Sequence, residues 1–159
     1  MTDEPIAPII YVDANPFIYF IDGDEDVAGH VRPFFALLAE GPGIAMTSEL
    51  TLAEVLAKAR PDVRRSYFNL IVWSKVFQLQ PITRNILIDT DDYRRVTQKT
   101  RPDGTKAKAK LPDAIHVVTA AQSRCRMFLS ADDGLTVPGG MEILRPNEAG
   151  FAKLTRELA

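Results

Sequence analysis

Short apolar runs that alternate with longer amphipathic segments are the feature that most limits the folds open to this chain. Runs of three or four mostly apolar residues are too short for stable helices and suit strands that are buried on both faces. They lie at residues 9–12, 44–46, 76–79, 127–130 and 141–144. Such strands separated by helices predict an α/β fold, with a mainly parallel central sheet of about five strands and helices on both faces.

The segments between these runs carry helix signals. Asn15 followed by Pro16 is typical of an N-cap and a first helical residue, and Thr47 or Ser48 can cap a later helix. Helices are predicted from residue 15, over 31–39, from 47 or 48 to about 60, and over 62–74, 83–98 and 111–124. Nothing in the composition indicates a second domain, so residues 1–159 are predicted to form one domain.

Four carboxylates stand at the ends of these elements or inside them: Asp13, Glu54, Asp113 and Asp132. Asp13 and Asp132 each follow a strand, and the carboxyl ends of parallel strands bound the ligand crevice of an open sheet. Carboxylates that meet there repel one another unless divalent cations neutralise them. The pattern therefore predicts a metal site and favours a metal-dependent hydrolase over a binding scaffold.

Two of these carboxylates also have structural interpretations. Asp13 could help to start a helix, but Asn15 already fills the cap position, which leaves Asp13 for the crevice. Glu54 satisfies a capping-box pattern with Thr51 and lies off the apolar stripe of its helix. On its own, Glu54 is therefore interpreted as a solvent-facing helix residue.

Asp113 and Asp132 likewise each have both a structural and a functional interpretation. Asp113 in a first helical turn favours the helix dipole, yet it shares an apolar face with His116. His116 could orient a carboxylate or bind phosphate, or could be a satisfied packing residue. Asp132 and Asp133 could form a turn, and only one of them can face the crevice.

Charge along the chain is segregated. The net charge of −2 gives no overall basic field that would point to nucleic acid. Residues 99–110, however, carry five cations against Asp103 alone. A solvated, mobile loop and a loop that contacts phosphate groups both fit this composition. The basic residues are Lys99, Arg101, Lys106, Lys108 and Lys110.

The cellular compartment is constrained by two features. Cys125 is the only cysteine, so an intrachain disulfide is excluded and a reducing compartment is compatible. The N-terminus lacks a basic region, and no apolar run approaches the ~20 residues of a membrane-spanning helix. We expect a cytoplasmic protein.

Four motifs, in order, resemble those of the PIN-domain nucleases, and most closely the toxins of VapBC-type toxin–antitoxin pairs. They are YVDANPFIYFI, SELTLAEVL, LPDAIHVVTA and FLSADD, and the resemblance covers roughly residues 9–145. It implies a sheet-and-helix domain whose acidic cluster binds Mg²⁺ or Mn²⁺. By position, the family's acidic residues fall on Asp13, Glu54, Asp113 and Asp132, with Asn15 and Ser130 as companions. Asp133 is out of register with the motif, and it and His116 are predicted as supporting residues. For Glu54 the resemblance overturns the solvent-facing interpretation.

The function expected from the residues and the resemblance together is metal-dependent endoribonuclease activity, as the toxin of a toxin–antitoxin pair. Asp13, Asp113 and Asp132 would be the principal ligands, and Glu54 a ligand or a base that orients water. RNA would be the substrate, and a cognate antitoxin and a second copy of the chain the protein partners. The apolar helices at 31–39 and 62–74 are candidate partner surfaces.

Two alternatives remain. A non-catalytic PIN-like binding module would keep a partner groove without activity. An α/β phosphotransferase with Asp13 as nucleophile would need a second Asp where the chain has Asn15.

Overall fold

A five-stranded sheet lies at the centre of the computed structural model, which describes residues 7–132 and 134–159. In chain order the strands are β1 (Ile10–Val12), β2 (Ala45–Ser48), β3 (Phe77–Gln80), β4 (Lys99–Thr100), β5 (Lys106–Ala107), β6 (Met127–Leu129) and β7 (Glu142–Leu144). The central sheet has the order β3-β2-β1-β6-β7, and all its pairs are parallel. The predicted α/β fold with a parallel sheet of about five strands is therefore confirmed.

Helices cover both faces of the sheet. They are α1 (Ala14–Asp22), α2 (Glu25–Glu40), α3 (Glu49–Lys58), α4 (Arg64–Phe68), α5 (Arg84–Val96), α6 (Leu111–Gln122) and α7 (Glu148–Leu158). A π-helical turn over Asn69–Trp73 continues α4, so the predicted helix at 62–74 is present in two parts. Within the described ranges, no helix is long and apolar enough to cross a membrane.

Two local predictions were wrong, and one helix was missed. Helix α2 begins at Glu25, after the cap residue Asp24, rather than at residue 31, and it continues through Pro33. Helix α7 was not predicted, although Asn147 caps it by accepting a 2.9 Å hydrogen bond from the Gly150 amide. The segment at 99–110 contains the β4–β5 antiparallel hairpin rather than a loop without regular structure.

Alternation along the strands divides the core into two layers. Ile10 and Val12 pack into the larger cluster, with residues of α1, α2, α3, α4 and α7. Tyr11 faces the opposite side, where it packs with Phe128 and with Val117 of α6. Because side chains alternate with a period of two, a residue two positions after Tyr11 is directed towards α6 as well.

The strand order locates a crevice beside β1. The chain passes from β1 through β2 to β3 on one side of β1, and β6 and β7 lie on the other side. The boundary between β1 and β6 is therefore the topological switch point, where open α/β sheets bind their ligands. The amide of Asp13 donates a 3.0 Å hydrogen bond to the carbonyl of Leu129 and links the two strand ends at this point.

Candidate active site

Asp13 occupies the switch point and caps α1. It is 4% exposed, and its Oδ1 accepts a 2.8 Å hydrogen bond from the Ala14 amide. Asn15 lies inside the first turn of α1, so the prediction that Asn15 caps the helix was wrong. The capping role does not exclude a ligand role, because Oδ2 accepts a separate 2.9 Å hydrogen bond from the Ser130 hydroxyl.

His116 joins three side chains from three different elements. It is fully buried on α6, and its Nδ1 lies 2.5 Å from the Tyr11 hydroxyl. Its Nε2 is hydrogen-bonded to Oε1 of Glu54 and lies 3.5 Å from Oδ1 of Asp13. A carboxylate can only accept, whereas the Tyr11 hydroxyl can donate or accept. Nε2 therefore carries a hydrogen in both protonation states of the imidazole.

Electrostatics favour the protonated imidazole. Burial disfavours charge on His116, but the hydrogen bond with Glu54 and the negative charges of Asp13, Glu54 and Asp113 outweigh it and raise the pKa of His116. Burial raises the pKa of the Tyr11 phenol far above its usual value, so this hydroxyl stays neutral. His116 thus lies between the carboxylates of Glu54 and Asp13 and interacts with both, rather than serving only as a packing residue.

Glu54 lies at the edge of this buried group. Val55 of the same helix is buried in the main core, with Leu52 and Leu56 packed against it, as the helical stripe predicts. Glu54 lies off that stripe, yet its side chain is only 30% exposed, because α6 places His116 against it. The solvent-facing interpretation was therefore wrong, as was the capping box, since Thr51 lies within the helix and exchanges a hydrogen bond with Thr47.

The pKa of Asp113 reflects the charges of the other residues at the site. It lies in the first turn of α6 and is partly buried. Burial and then the negative charges of Asp13 and Asp132 raise its pKa, with a smaller contribution from Glu54, while His116 lowers it. The four predicted carboxylates therefore share one electrostatic environment that carries excess negative charge.

Asp132 is held in the loop that follows β6. Its Oδ1 accepts a 2.8 Å hydrogen bond from the Gly134 amide, and its own amide donates a 3.0 Å bond to the Ser130 hydroxyl. Arg145 reaches this loop from the end of β7 and donates to the backbone carbonyls of Ser130 and Asp132. The turn interpretation and the site interpretation of Asp132 are thus compatible. Asp133 lies outside the described residues.

The donor chemistry suits Mg²⁺ or Mn²⁺, because hard cations prefer carboxylate oxygens and the site holds more negative than positive charge. Within residues 7–132 and 134–159, however, no three acidic, histidine or cysteine side chains stand close enough to hold one ion as they are arranged. Glu54 is turned towards His116, and Asp13 is engaged by Ser130. Ion binding therefore requires these side chains to shift towards a common centre.

Sequence reasoning missed Tyr11 and Arg145. A tyrosine inside an otherwise aliphatic buried strand was the available signal for Tyr11, since a buried phenol needs a hydrogen-bond partner. Arg145 acts through backbone carbonyls, and its position next to the acidic loop depends on the pairing of β7 with β6. No local pattern in the sequence indicates that contact.

A family model of the PIN domain matches residues 10–139. The chain belongs to the PIN domain family. This PIN domain match includes all four carboxylates, Ser130 and His116, and it ends before β7 and α7. The family resemblance stated from the sequence motifs is thereby confirmed.

Solved structures with the same fold include toxin and toxin–antitoxin structures. Mycobacterium tuberculosis VapC20, described as a sarcin–ricin loop cleaving toxin, is 17% identical, with 79% of this chain and 91% of that chain covered and a TM-score of 0.60. A toxin–antitoxin complex from Klebsiella pneumoniae matches at 23% identity, 87% and 98% coverage and a TM-score of 0.59. DNA-bound VapBC from Salmonella typhimurium matches at 18% identity, 87% and 98% coverage and a TM-score of 0.59. A comparison with curated proteins found no match.

Proposed function

We propose that this PIN domain is a Mg²⁺- or Mn²⁺-dependent endoribonuclease and the toxin of a toxin–antitoxin pair. The observation that carries the proposal is the contact group beside the switch point, in which His116 lies between Glu54 and Asp13, and Ser130 holds Asp13. The charges of Asp13, Asp132 and Glu54 also raise the pKa of Asp113, after burial, as expected for carboxylates that share one site. Carboxylates that share a partly buried site without enough positive charge destabilise a fold. Divalent cations bound there would neutralise this charge and allow a phosphodiester to approach.

Each residue has a distinct proposed role. Asp13, Asp113 and Asp132 would hold the ion, and Ser130 would orient Asp13 through its hydrogen bond to Oδ2. His116 would position Glu54, which its Nε2–H contacts, and would hold apart the carboxylates of Glu54 and Asp13. Asn15, partly buried in the first turn of α1, is proposed as a supporting residue near the same edge. Asp133 is a supporting candidate on sequence grounds alone.

Hydrolysis needs a nucleophilic water and relief of charge on the phosphate. A bound divalent cation would supply both, by polarising the water and a phosphate oxygen. Glu54 is the most accessible of the residues that contact His116, and it is proposed to orient the water and accept its proton. The water oxygen bonds to phosphorus, the bond to the leaving ribose oxygen breaks, and that oxygen takes up a proton.

RNA cleavage tests the proposal directly. Purified wild-type protein should cleave RNA in the presence of Mg²⁺ or Mn²⁺, and an excess of EDTA should stop it. The exposed carboxylate of Asp26 on α2 provides a matched control, since Asp26→Asn removes a charge outside the site. Sequencing of RNA ends after brief expression of the wild type and of Asp113→Asn would identify the cleaved bond. Binding of RNA with no cleavage under any metal would favour the non-catalytic alternative.

The toxin assignment is supported by the fold shared with toxin–antitoxin complexes. It predicts that expression arrests growth and that the product of an adjacent small open reading frame co-purifies with the chain and relieves the arrest. A homodimer is proposed as well, and light scattering measures it. A harmless monomer without such a neighbour would contradict the toxin assignment while leaving the nuclease activity open.

The two candidate partner surfaces differ in the structure. The large apolar side chains Phe34 and Leu38 of α2 are buried in the core, whereas Pro33, Ala36 and Ala39 are exposed, so residues 31–39 offer a partner only small apolar side chains and stay a candidate surface. The segment after α4 remains a candidate as well. There Trp73 is 57% exposed and stacks on Phe68 with ring centroids 5.7 Å apart.

A further inference from the structure

The basic segment is an ordered hairpin whose turn is closed by its own side chains. Oδ1 of Asp103 accepts hydrogen bonds from the Thr105 amide at 2.9 Å and the Thr105 hydroxyl at 2.6 Å. Gly104 adopts a φ of 87°, which suits a residue without a Cβ. The Arg101 amide donates a 2.7 Å bond to the Thr105 carbonyl. The backbone that carries the basic residues of this segment is therefore ordered.

Hydrogen bonds divide the five basic residues into two groups. Arg101 donates to the Thr105 hydroxyl and the Lys106 carbonyl, at 3.2 and 3.3 Å, and Nζ of Lys106 donates a 2.8 Å bond to the Thr100 hydroxyl. These two cations hold the hairpin together. In the part of the chain that the structure describes, the ammonium groups of Lys99, Lys108 and Lys110 have no hydrogen bond or ion pair.

Lys99 and Lys108 line the same cavity. It has a volume of about 160 Å³ and lies between the hairpin, the end of α5 and the loop after Asp132. Its other polar lining comes from Thr97, Thr136 and the backbone of Gly134. A water occupies about 30 Å³ of liquid, so the cavity has room for a phosphate group and some of its hydration. The side chains of Lys99 and Lys108 are exposed and make no hydrogen bond with a described residue, so both ammonium groups are free to turn towards an anion beside this cavity.

Two hydrogen bonds fix the walls of this cavity. Nε of Arg94 donates a 2.9 Å bond to the Ala109 carbonyl and ties the second strand of the hairpin to α5. The Tyr93 hydroxyl donates a 2.5 Å bond to the Thr136 carbonyl and ties α5 to the loop after Asp132. The cavity is therefore part of the folded domain, not a gap beneath a loose loop.

Two walls of this cavity are connected to residues of the acidic site. Gly134, which lines the cavity, donates its amide to Oδ1 of Asp132. At the other wall the hairpin continues through Lys110, the residue before α6, and Asp113 lies in the first turn of that helix. A polynucleotide that crosses the acidic site can thus reach the cavity within a short length of its backbone.

We propose that this cavity is a phosphate subsite, in which Lys99 and Lys108 bind a backbone phosphate of single-stranded RNA next to the phosphate that is cleaved. This inference rests on the proposed ribonuclease function and adds to it the residues that hold the substrate. Arg101 and Lys106 stabilise the hairpin, and their charges add to the positive electrostatic potential around it. Phosphate contacts position a strand without reading its sequence, so the subsite fixes register along the RNA and not base preference.

Binding can be measured apart from cleavage. Fluorescence anisotropy of a labelled single-stranded RNA is recorded in EDTA, in an Asp13→Asn background, for single and double Ala substitutions at Lys99 and Lys108. We expect the double variant to bind at least about 10-fold more weakly. The log–log salt slope should fall by about 0.7 for each lysine–phosphate interaction that is removed. Lys108→Arg should restore most of the affinity, which separates loss of charge from damage to the fold.

Two matched lysines serve as controls. Lys106→Gln removes the same charge from the same hairpin while its amide can still donate to the Thr100 hydroxyl, and Lys153→Ala removes a charge from α7, where Lys153 pairs with Glu142 near the start of β7. Lys106→Gln should weaken binding clearly less than Lys108→Ala, and Lys153→Ala should leave it unchanged. Equal effects of Lys106→Gln and Lys108→Ala would overturn the subsite in favour of a diffuse field.

The remaining outcomes separate this inference from the proposed function. Wild-type RNA cleavage with an unchanged KM and salt slope in the double variant would overturn the subsite and leave the nuclease intact. Lysine-dependent RNA binding without cleavage under any metal would support the subsite and count against the nuclease. Inorganic phosphate is the probe for a free anion. Suppose that phosphate raises the melting temperature of the wild type but not of the Lys99 and Lys108 variants, while these variants bind RNA as tightly as the wild type. The cavity would then bind free phosphate, and the RNA subsite would be overturned.

Discussion

The hydroxyl of Ser130 donates a 2.9 Å hydrogen bond to Oδ2 of Asp13 and joins the residues that follow β6 and β1. Oδ1 of the same carboxylate accepts from the Ala14 amide, so Asp13 has one oxygen committed to the helix and one to the neighbouring strand. The residue that we propose as the central ligand therefore has one defined orientation in the metal-free protein, from which it has to shift when an ion binds.

Asp13→Asn should lower RNA cleavage by at least about 100-fold, the upper range seen when even outer partners of a metal site are removed. The fold should be retained, because an Asn side-chain oxygen can still accept from the Ala14 amide and its nitrogen can donate to Ser130. Turnover in excess Mg²⁺ and thermal melting measure the two effects, with Asp26→Asn as the control. Wild-type turnover in Asp13→Asn would show that the assigned site is wrong.

Asp113→Asn should also abolish cleavage, and it should raise the melting temperature of the metal-free protein. The raised pKa of Asp113 means that its ionised form is disfavoured in the fold, so the neutral amide relieves both burial and repulsion from Asp13 and Asp132. A metal-free melting curve at neutral pH provides the measurement. A lower melting temperature, with cleavage retained, would contradict this account.

Divalent cations should stabilise the native protein. An ion present at 100 times its Kd and bound only by the native state adds about 2.7 kcal/mol. Melting temperature titrated with MgCl₂ or MnCl₂ should therefore rise in the wild type and rise less in Asp132→Asn, with KCl at matched ionic strength as the control. An identical response of both proteins would remove Asp132 from the ligand set.

The metal-free protein should become more stable as the pH falls from about 8 to about 6, across the range in which histidine titrates. The pKa of His116 is raised in the fold, so its contribution is fully present below the unfolded pKa and is lost as the pH rises through the folded pKa. Thermal melting against pH tests this, and His116→Gln should flatten the curve over this range. His30→Gln is the control, because His30 is exposed.

Tyr11→Phe should destabilise the fold by about 1–3 kcal/mol, because it leaves Nδ1 of a buried imidazole without its partner. It should also alter the pH dependence of cleavage, which a purely structural loss would not do. Denaturant unfolding and a pH–rate profile measure the two effects. Tyr19→Phe is the matched control, since the Tyr19 hydroxyl makes no hydrogen bond with any described residue. A shifted profile in both variants would count against a positioning role for Tyr11.

The sequence predicted the inner strands of the sheet well, because β1, β2 and β6 are fully buried and therefore consist mostly of apolar residues, such as Ile10 and Val12. It predicted helix boundaries less well. The Asn15–Pro16 signal and the Asp13 signal compete for the same cap, and only the position of β6, which brings Ser130 to Asp13, shows how one side chain can serve the cap and the site.

For the candidate site, too, local patterns in the sequence were informative and contacts across the fold were not visible. The carboxylates were found from their positions at element ends and from the family motifs. The surroundings of Glu54 could not be found in this way, because helical periodicity shows that Glu54 avoids the main core but not that α6 covers it. The sequence also could not show which basic residues of the hairpin make hydrogen bonds. Composition gives only the number of charges, whereas the pairing of β4 with β5 places Lys106 beside Thr100.

The contact between Asp13 and Ser130 spans 117 positions of the chain. Contacts between residues so far apart in the sequence form late in folding, because closing the long loop between them costs conformational entropy. On the ribosome, Asp13 emerges long before β6, so a nascent chain cannot assemble the acidic cluster until the segment through Asp132 has been made. Fragments that end before β6 are therefore expected to lack the assembled cluster, and with it the ribonuclease activity proposed above.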